Sequence, residues 1–347
     1  MVSVLLVTWN SAQFLEACLD SINRQDYPDL EVIVIDNAST DGTRDILRQR
    51  EPSWTVIYNG TNVGFAAGQN QAIARSHGDW LLCLNPDVSL APNFISTLLA
   101  AGNEYPEAGS LSGKLLRWRI EGEPQHSRIL DSTGIYFTRN MRHLDRGADE
   151  PDTGQYQRTQ WVFGATGAAA MYRRTFVEAV SIEGEFFDEE FFSYREDADL
   201  AWRGQLMGWK CLYVPAAEAF HVRRVTPERR ASLPLEINWH SIKNRFLMRG
   251  KNASGWLCWK LFAPVAWRDL MILAYALVRD WRMLSALAYP LRHLASVRRK
   301  RKAIQARRRI SDRDLIAWFE NAPVTVDAAA DGQPKPEAAR LAPGRRP

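Results

Sequence analysis

The chain has 347 residues, of which 46% are hydrophobic and 24% charged, with a formal net charge of +4. Those values exclude a disordered or fibrous chain and suit one large domain with an appendage. Cys18, Cys83, Cys211 and Cys258 stand far apart in no paired spacing, which argues against a disulfide frame or a cysteine zinc site and predicts reduced thiols.

The first hundred residues alternate apolar runs with amphipathic segments, the pattern of β-α-β units around a parallel sheet. Val2–Val7 predicts the first strand. After a cap at Asn10 or Ser11, Leu15, Leu19 and Ile22 share one helical face. Val32–Ile35 predicts the second strand, and a capped helix follows from Thr40 to Arg50. Trp54–Tyr58 predicts the third, leading through the glycine-bearing stretch Asn62–Asn70 to a helix that ends near Ser76. Trp80–Leu84 is the fourth strand and Pro92–Glu104 the next helix.

From Ala108 to Tyr172 the pattern is irregular, with short strand-like pieces and polar loops at Arg119–Arg128 and Arg146–Arg158. Glu196–Met207 predicts a helix with Ala198, Ala201, Trp202 and Leu206 on one stripe, and Cys211–Val214 a short strand. Leu235 to about Arg308 reads as helical, rich in Trp and Leu, and basic. The Ala/Pro/Gly-rich Thr325–Pro347 reads as disordered. The expected division is an α/β domain over 1–230, a helical region over 231–320 and a tail over 321–347.

Polar clusters follow the strands: Thr8-Trp9-Asn10, Asp36, Asn62–Asn70 and Asn85-Pro86-Asp87. Groups placed beyond the carboxyl ends of parallel strands build a binding crevice. Asp36 ends a buried strand, where a carboxylate needs donors, and a pyrimidine N–H is one candidate beside a plain capping turn. Trp9 is placed to stack on a base or to pack on its neighbours. Asp87, held in an extended loop by Pro86, suits a divalent cation that bridges a diphosphate. Glu196, Asp197 and Asp199 open a helix, where acids also serve simply to offset its dipole. His221 stands alone, a pattern more often structural than metal-binding.

In this order and spacing the motifs resemble the inverting family 2 glycosyltransferases with the GT-A fold, nearest to their bacterial rhamnosyltransferase-like branch. The resemblance rests on Val7-Thr8-Trp9-Asn10, Asp36-Asn37-Ala38-Ser39-Thr40-Asp41-Gly42, Asn62-Val63-Gly64-Phe65-Ala66, Asn85-Pro86-Asp87, Gly164-Ala165 with Met171, Phe187-Asp188-Glu189, Glu196-Asp197-Ala198-Asp199-Leu200 and His221, and covers residues 1–225. It implies a Rossmann-like, mostly parallel sheet flanked by helices, with a C-terminal helical extension. It also implies that Thr8, Trp9, Asp36, Asn62, Gly64, Asn70 and Asn85 border the nucleotide sugar. Asp87 and His221 would hold Mn2+ or Mg2+, and Asp197, with Glu196 beside it, would be the general base. Trp161, Gly164, Ala165 and Phe192 would lie on the acceptor side. Asn85 departs from the usual Asp-x-Asp pattern and removes one charge from the cation's surroundings. The implied donor is a dTDP- or UDP-sugar, first of all dTDP-rhamnose, and the implied acceptor a glycan or lipid-linked glycan. A nucleotidyltransferase would need a glycine- and basic-rich loop that Thr8–Phe14 lacks. A catalytically inactive glycan-binding protein would have no use for Asp87, Asp197 and His221 together.

Ten Lys/Arg and a single acid lie between Leu291 and Arg313. With Trp256, Trp259, Phe262, Trp267 and Trp281 upstream, this predicts helices lying on an anionic membrane surface, against the alternative of internal packing. No apolar run reaches the roughly 18–20 residues of a span, and no signal segment precedes the first strand. The expectation is a cytoplasmic protein, peripheral on the inner face of the cytoplasmic membrane, with no nucleic-acid partner.

Overall fold

The computed structural model describes residues 1–51, 53–118, 128–223, 235–320 and 326–328. The N-terminal part alternates as its pattern predicts: β1 (Val2–Thr8), α1 (Ala12–Asn23), β2 (Leu30–Asp36), α2 (Thr43–Arg48), β3 (Thr55–Tyr58), α3 (Phe65–Ile73) and β4 (Trp80–Leu84). β1 runs parallel to both β2 and β4, and β2 parallel to β3. The order β3-β2-β1-β4 therefore turns back at β1, which opens a crevice beyond the carboxyl ends of β1 and β4. Val4 and Leu6 pack with Leu15, Leu19 and Ile22 of α1, whereas Leu5 and Val7 join Ala66 and Ala72 of α3. Successive side chains of a strand point to opposite faces, so β1 is buried on both.

β5 (Val88–Leu90), α4 (Phe94–Glu104), β6 (Ala108–Arg117), β7 (Leu130–Ser132), β8 (Ile135–Phe137), β9 (His143–Asp145) and β10 (Gln160–Val162) come next. β11 (Ala169–Arg173), α5 (Arg174–Val180), α6 (Glu196–Leu206) and β12 (Lys210–His221) complete the α/β part. β11 lies antiparallel between β4 and β6, and β12 lies parallel to β6. β12 is longer than the predicted Cys211–Val214. A register shift between Val214 and Glu218 lets the chain pass Pro215 and go on to pair with β5, setting His221 opposite Val88. Pro215 breaks the apolar run, and that is why the run reads as a short strand.

The predicted helical region consists of α7 (Leu235–Asn252), α8 (Gly255–Lys260), α9 (Phe262–Arg279), α10 (Leu284–Arg292) and α11 (Leu294–Ala306). Leu247, Met248, Leu257, Val297 and Ile304 share a core with Phe186, Phe187 and Leu206, so these helices pack on the α/β part. The contact is ionic as well. Lys251 pairs with Asp188 and Asp199, and Lys300 with Asp188 (2.7 Å) and Glu185 (3.0 Å).

The basic run is divided between internal packing and solvent. Lys300 is buried, Arg299 pairs with Glu183, Arg301 donates to the carbonyls of Gly250 and Ala253, and Arg307 to that of Ser181. Arg298, Arg299, Lys302, Arg307 and Arg309 are exposed. The apolar side of α9 faces solvent too: Phe262, Trp267, Leu270, Met271, Leu277 and Val278, with Trp267 66% and Val278 89% exposed. Among the described residues no helix is long and apolar enough to cross a membrane. Val326–Asp327 adds a short strand, β13, to β10, so the start of the predicted tail is part of the sheet edge. The rest of that tail, and nearly all of the predicted 119–128 loop, lie outside the described residues.

Candidate active site

A cavity of about 610 Å³ opens beyond β4, lined among others by Asn85, Asp87, Arg117, Asp145, Glu196, Asp197, His221 and Arg223. The Asn85-Pro86-Asp87 turn is fixed by the Asn85 N–H bond to the Ala168 carbonyl (2.9 Å) and by the Val88 N–H bond to Asn85 (3.2 Å). The Val222 N–H donates to the Asp87 carbonyl (3.0 Å), which holds the end of β12 beside it. His221 Nε2 consequently lies 3.5 Å from Asp87 Oδ1, while Nδ1 lies 2.7 Å from Asp131 Oδ2.

Asp131 is buried on β7 and also faces Arg117 (3.0 Å) and Arg223 (3.4 Å). Burial opposes its charge, but His221, Arg223 and Arg117 outweigh burial and hold its pKa below the usual value. An ionised Asp131 can only accept, so Nδ1 donates to it. Burial likewise opposes the imidazolium, yet the charge and hydrogen bond of Asp131, joined by Asp87, push His221 up to about 10. A divalent cation bound here would replace the Nε2 proton. Asp87 Oδ1 is buried with no hydrogen-bond partner. An orphaned carboxylate oxygen facing an imidazole nitrogen, oriented by a second carboxylate, fits Mn2+ or Mg2+. Among the described residues no group of three His, Cys, Asp or Glu is gathered for a metal. Asp87 and His221 would therefore be the protein's share, with a diphosphate and water supplying the rest.

The other chemical feature is the start of α6. Asp197 Oδ2 accepts from the Gly167 N–H (3.0 Å) and Oδ1 from the Ala198 N–H (2.7 Å). A Cβ on Gly167 would stand 3.2 Å from Asp197 Oδ2, so glycine is what lets the backbone come this close. Glu196 is buried and its Oε2 has no hydrogen-bond partner. Burial, and then the charge of Asp197, push Glu196 up to about 8. Burial and Asp145 raise Asp197 as well, against the two N–H donors and Arg195. Since Asp197 has an N–H donor to each of its oxygens while Glu196 Oε2 has none, Asp197 carries the negative charge of the pair and Glu196 keeps the proton at neutral pH. Asp199 is structural. Fully buried, it binds Arg203 (3.0 Å) and Asn252 (2.7 Å), which removes it as an alternative proton acceptor.

On the nucleotide side, Trp9 is 54% exposed at the end of β1. Asp36 is fully buried: Oδ1 accepts from Thr8 Oγ1 (3.0 Å), and Oδ2 from the Ser39 N–H (3.1 Å) and Arg44 Nε (2.7 Å). The capping turn is real, and a base could reach this carboxylate only after Arg44 moved aside. Asn62 Oδ1 accepts from the Gly64 N–H (2.9 Å), and the Asn70 amide holds the Phe187 backbone at both of its atoms (2.7 and 3.0 Å). Gly64 has φ 88°, and a Cβ there would lie 2.6 Å from the Phe192 ring. Thr8, Trp9, Asp36, Asn62, Gly64 and Asn70 do not line this cavity; Asn85 does.

Of the four residues expected on the acceptor side, none lines this cavity. Trp161 is buried with its ring on Tyr105 (5.6 Å), Gly164 and Ala165 are buried, and Phe192 stacks on His240 (4.9 Å). Thr166, Gly167, Tyr136, Arg142 and His143 line the cavity. Asp131, Asp145, Arg117 and Arg223 were missed. For Asp131 a signal existed, because a carboxylate inside the strand-like Ile129-Leu130-Asp131 must find donors, the argument already applied to Asp36.

Solved structures share this arrangement of sheet and helices. S. aureus TarS in complex with UDP-GlcNAc superposes with a TM-score of 0.54 at 16% identity, covering 88% of this chain and 90% of that one. The mannosyltransferase PcManGT from Pyrobaculum calidifontis, in complex with GDP-Man and Mn2+, gives 0.51 at 19% identity, covering 88% and 84%. The fold is that of the GT-A glycosyltransferases. The chain belongs to glycosyl transferase family 2, whose model matches residues 3–181, and it is a glycosyltransferase enzyme. It is also 29% identical over 310 residues to the N-acetylglucosaminyl-diphospho-decaprenol L-rhamnosyltransferase of Mycobacterium tuberculosis, covering 80% of this chain and 95% of that protein. A match of that length reaches past the α/β part into the C-terminal helices.

Proposed function

We propose that the protein transfers a sugar, rhamnose from dTDP-rhamnose before any UDP-hexose, to a hydroxyl of a lipid-linked glycan with inversion at the anomeric carbon. The observation that carries this reading is that Asp87 with His221, and Asp197 with Glu196, line one cavity at the crevice of a GT-A sheet. The near full-length similarity to a rhamnosyltransferase acting on a diphospho-decaprenol acceptor supports the choice of sugar and acceptor. Asp197 takes the proton of the attacking hydroxyl, oriented for it by the N–H groups of Gly167 and Ala198. Glu196, neutral beside it, adds no second charge. Asp87 and His221 would hold a divalent cation, which when bound would offset charge on the departing nucleoside diphosphate. Trp9 is the platform for the base.

A lipid-linked acceptor places the enzyme at a membrane, and α9 is the surface for it. Its exposed face carries Trp267 and Phe262 with Leu270, Leu277 and Val278, and its one acid, Asp269, is turned inward to Arg245 (3.1 Å) and Arg249 (2.6 Å). Lys260, Arg292, Arg298 and Lys302 are exposed in the neighbouring helices, so the partner is an anionic leaflet entered by the apolar face.

The deciding experiment supplies the purified protein with Mn2+, a panel of nucleotide sugars and a diphospho-lipid-linked N-acetylglucosamine, and reads nucleoside diphosphate release together with product. Asp197→Asn is expected to keep donor binding and to lose transfer by about two to four orders of magnitude. Undiminished transfer by that variant, or no transfer from any donor by the native protein, would overturn the reading.

A further inference from the structure

The segment that leads into α6 is folded against its own preference. Phe192, Tyr194 and Arg195 have φ of 63°, 70° and 73°, and none is glycine. Side chains disfavour that left-handed region, so such a run persists only where its surroundings impose it.

Those surroundings are supplied by α7. The Asn244 side chain is fully buried, and its Nδ2 donates to the carbonyls of Phe191 (2.9 Å), Ser193 (2.8 Å) and Tyr194 (2.7 Å). One turn earlier, Ser241 accepts from Arg195 through its carbonyl (2.9 Å) and its Oγ (3.3 Å). The carbonyls gathered by Asn244 belong to the residues just before Glu196 and Asp197, and Arg195 is the N-cap of α6. We propose that Asn244 is a positioning residue for sugar transfer: it imposes the turn at 191–195 so that α6 begins with Asp197 aimed at Gly167 and the cavity.

The proposal rests on the reading of Asp197 as the base. Simple attachment of α7 does not account for Asn244, because Lys251 and Asn252 already fasten that helix to Asp188 and Asp199. What Asn244 adds is the convergence of three carbonyls on one nitrogen, within the turn whose backbone is left-handed.

Asn244→Ala and Asn244→Ser, made in the full chain, test this against Asp197→Asn in the transfer assay, with nucleotide Kd, thermal midpoint and the pH dependence of kcat measured for each. Asn244→Ala is expected to keep nucleotide Kd within about twofold and to lose kcat by roughly 10- to 100-fold, the scale of a misplaced catalytic group. The acidic limb of its kcat profile should move to higher pH, because a loosened Gly167 N–H no longer favours the Asp197 carboxylate. Asn244→Ser, which keeps one O–H donor, should recover part of both effects. Should the alanine variant fail to fold, the serine variant carries the same comparison. A folded variant with native kcat and native acidic limb would overturn the proposal, as would a loss of kcat no larger than the loss of nucleotide affinity. A native-like Asn244→Ala beside an inactive Asp197→Asn would remove only the role of Asn244, whereas an active Asp197→Asn would remove the base.

Discussion

Glu196→Gln tests the distribution of charge at the start of α6. In the unfolded chain this carboxyl titrates near 4.5, and in the native protein near 8. Between those values the native state binds more protons than the unfolded one, so this residue makes stability fall as pH rises from about 4.5 to about 8, with no further change above. At about 1.36 kcal/mol per pH unit the ceiling is roughly 5 kcal/mol. Relaxation around a buried charge brings the realistic loss to about 2–3 kcal/mol. Glutamine keeps the shape and abolishes the titration. The variant should therefore overtake the native protein as pH rises and exceed it by about 2–3 kcal/mol at about pH 9. Urea unfolding of both proteins from about pH 5 to 9 at constant salt measures this, because removing one titration changes the difference between the curves with pH. Parallel curves would mean that Glu196 is ionised throughout, and the assignment of the proton would be wrong. Transfer should survive within about tenfold, since Asp197 keeps both of its N–H donors.

Three further outcomes are expected. Asp131→Asn, which touches no substrate but orients His221, should weaken Mn2+ binding by about 10- to 100-fold in a calorimetric titration; unchanged affinity would detach His221 from the cation. Lys300→Ala removes one of the two cations on buried Asp188 and should cost about 1.5–3 kcal/mol of stability, while Arg298→Ala on the exposed side should stay within about 0.5 kcal/mol; similar losses for the two would mean that Lys300 is as solvated as Arg298. Trp267→Glu with Leu270→Glu should abolish sedimentation with vesicles containing phosphatidylglycerol and leave the thermal midpoint unchanged. Equal sedimentation would assign α9 another partner.

The α/β half was legible because its runs have the lengths and spacings that only β-α-β units produce, and Asp87, Asp197 and His221 stand at the strand and helix ends where such folds expose side chains. What stayed illegible depends on contacts far apart in the chain. Asp131 meets a histidine 90 residues later, on a strand whose apolar run Pro215 interrupts. Asn62 and Asn70 carry the expected residue types, but the Asn62 side-chain oxygen is taken by the Gly64 N–H and the Asn70 amide by the backbone of Phe187, 117 residues later. The run Arg298-Arg299-Lys300 has uniform charge, and sequence cannot say which cation turns inward. Two residues of a helix are about 200° apart, so Arg298 faces water and Lys300 faces the core.

The register shift in β12 makes the cation site a matter of counting. His221 stands opposite Val88 because the residues between Val214 and Glu218 supply the slack that carries the strand from β6 to β5. Adding or deleting one residue there would turn every later side chain of β12 to the other face, moving Phe220 or Val222 into the place of the imidazole. Such a change would leave the nucleotide crevice and the start of α6 in place, and would take His221 from Asp87 together with Ala219 and Phe220 from the core. A length change at 215–217, with no substitution at Asp87 or His221, thus separates the proposed cation site from the proposed nucleotide crevice.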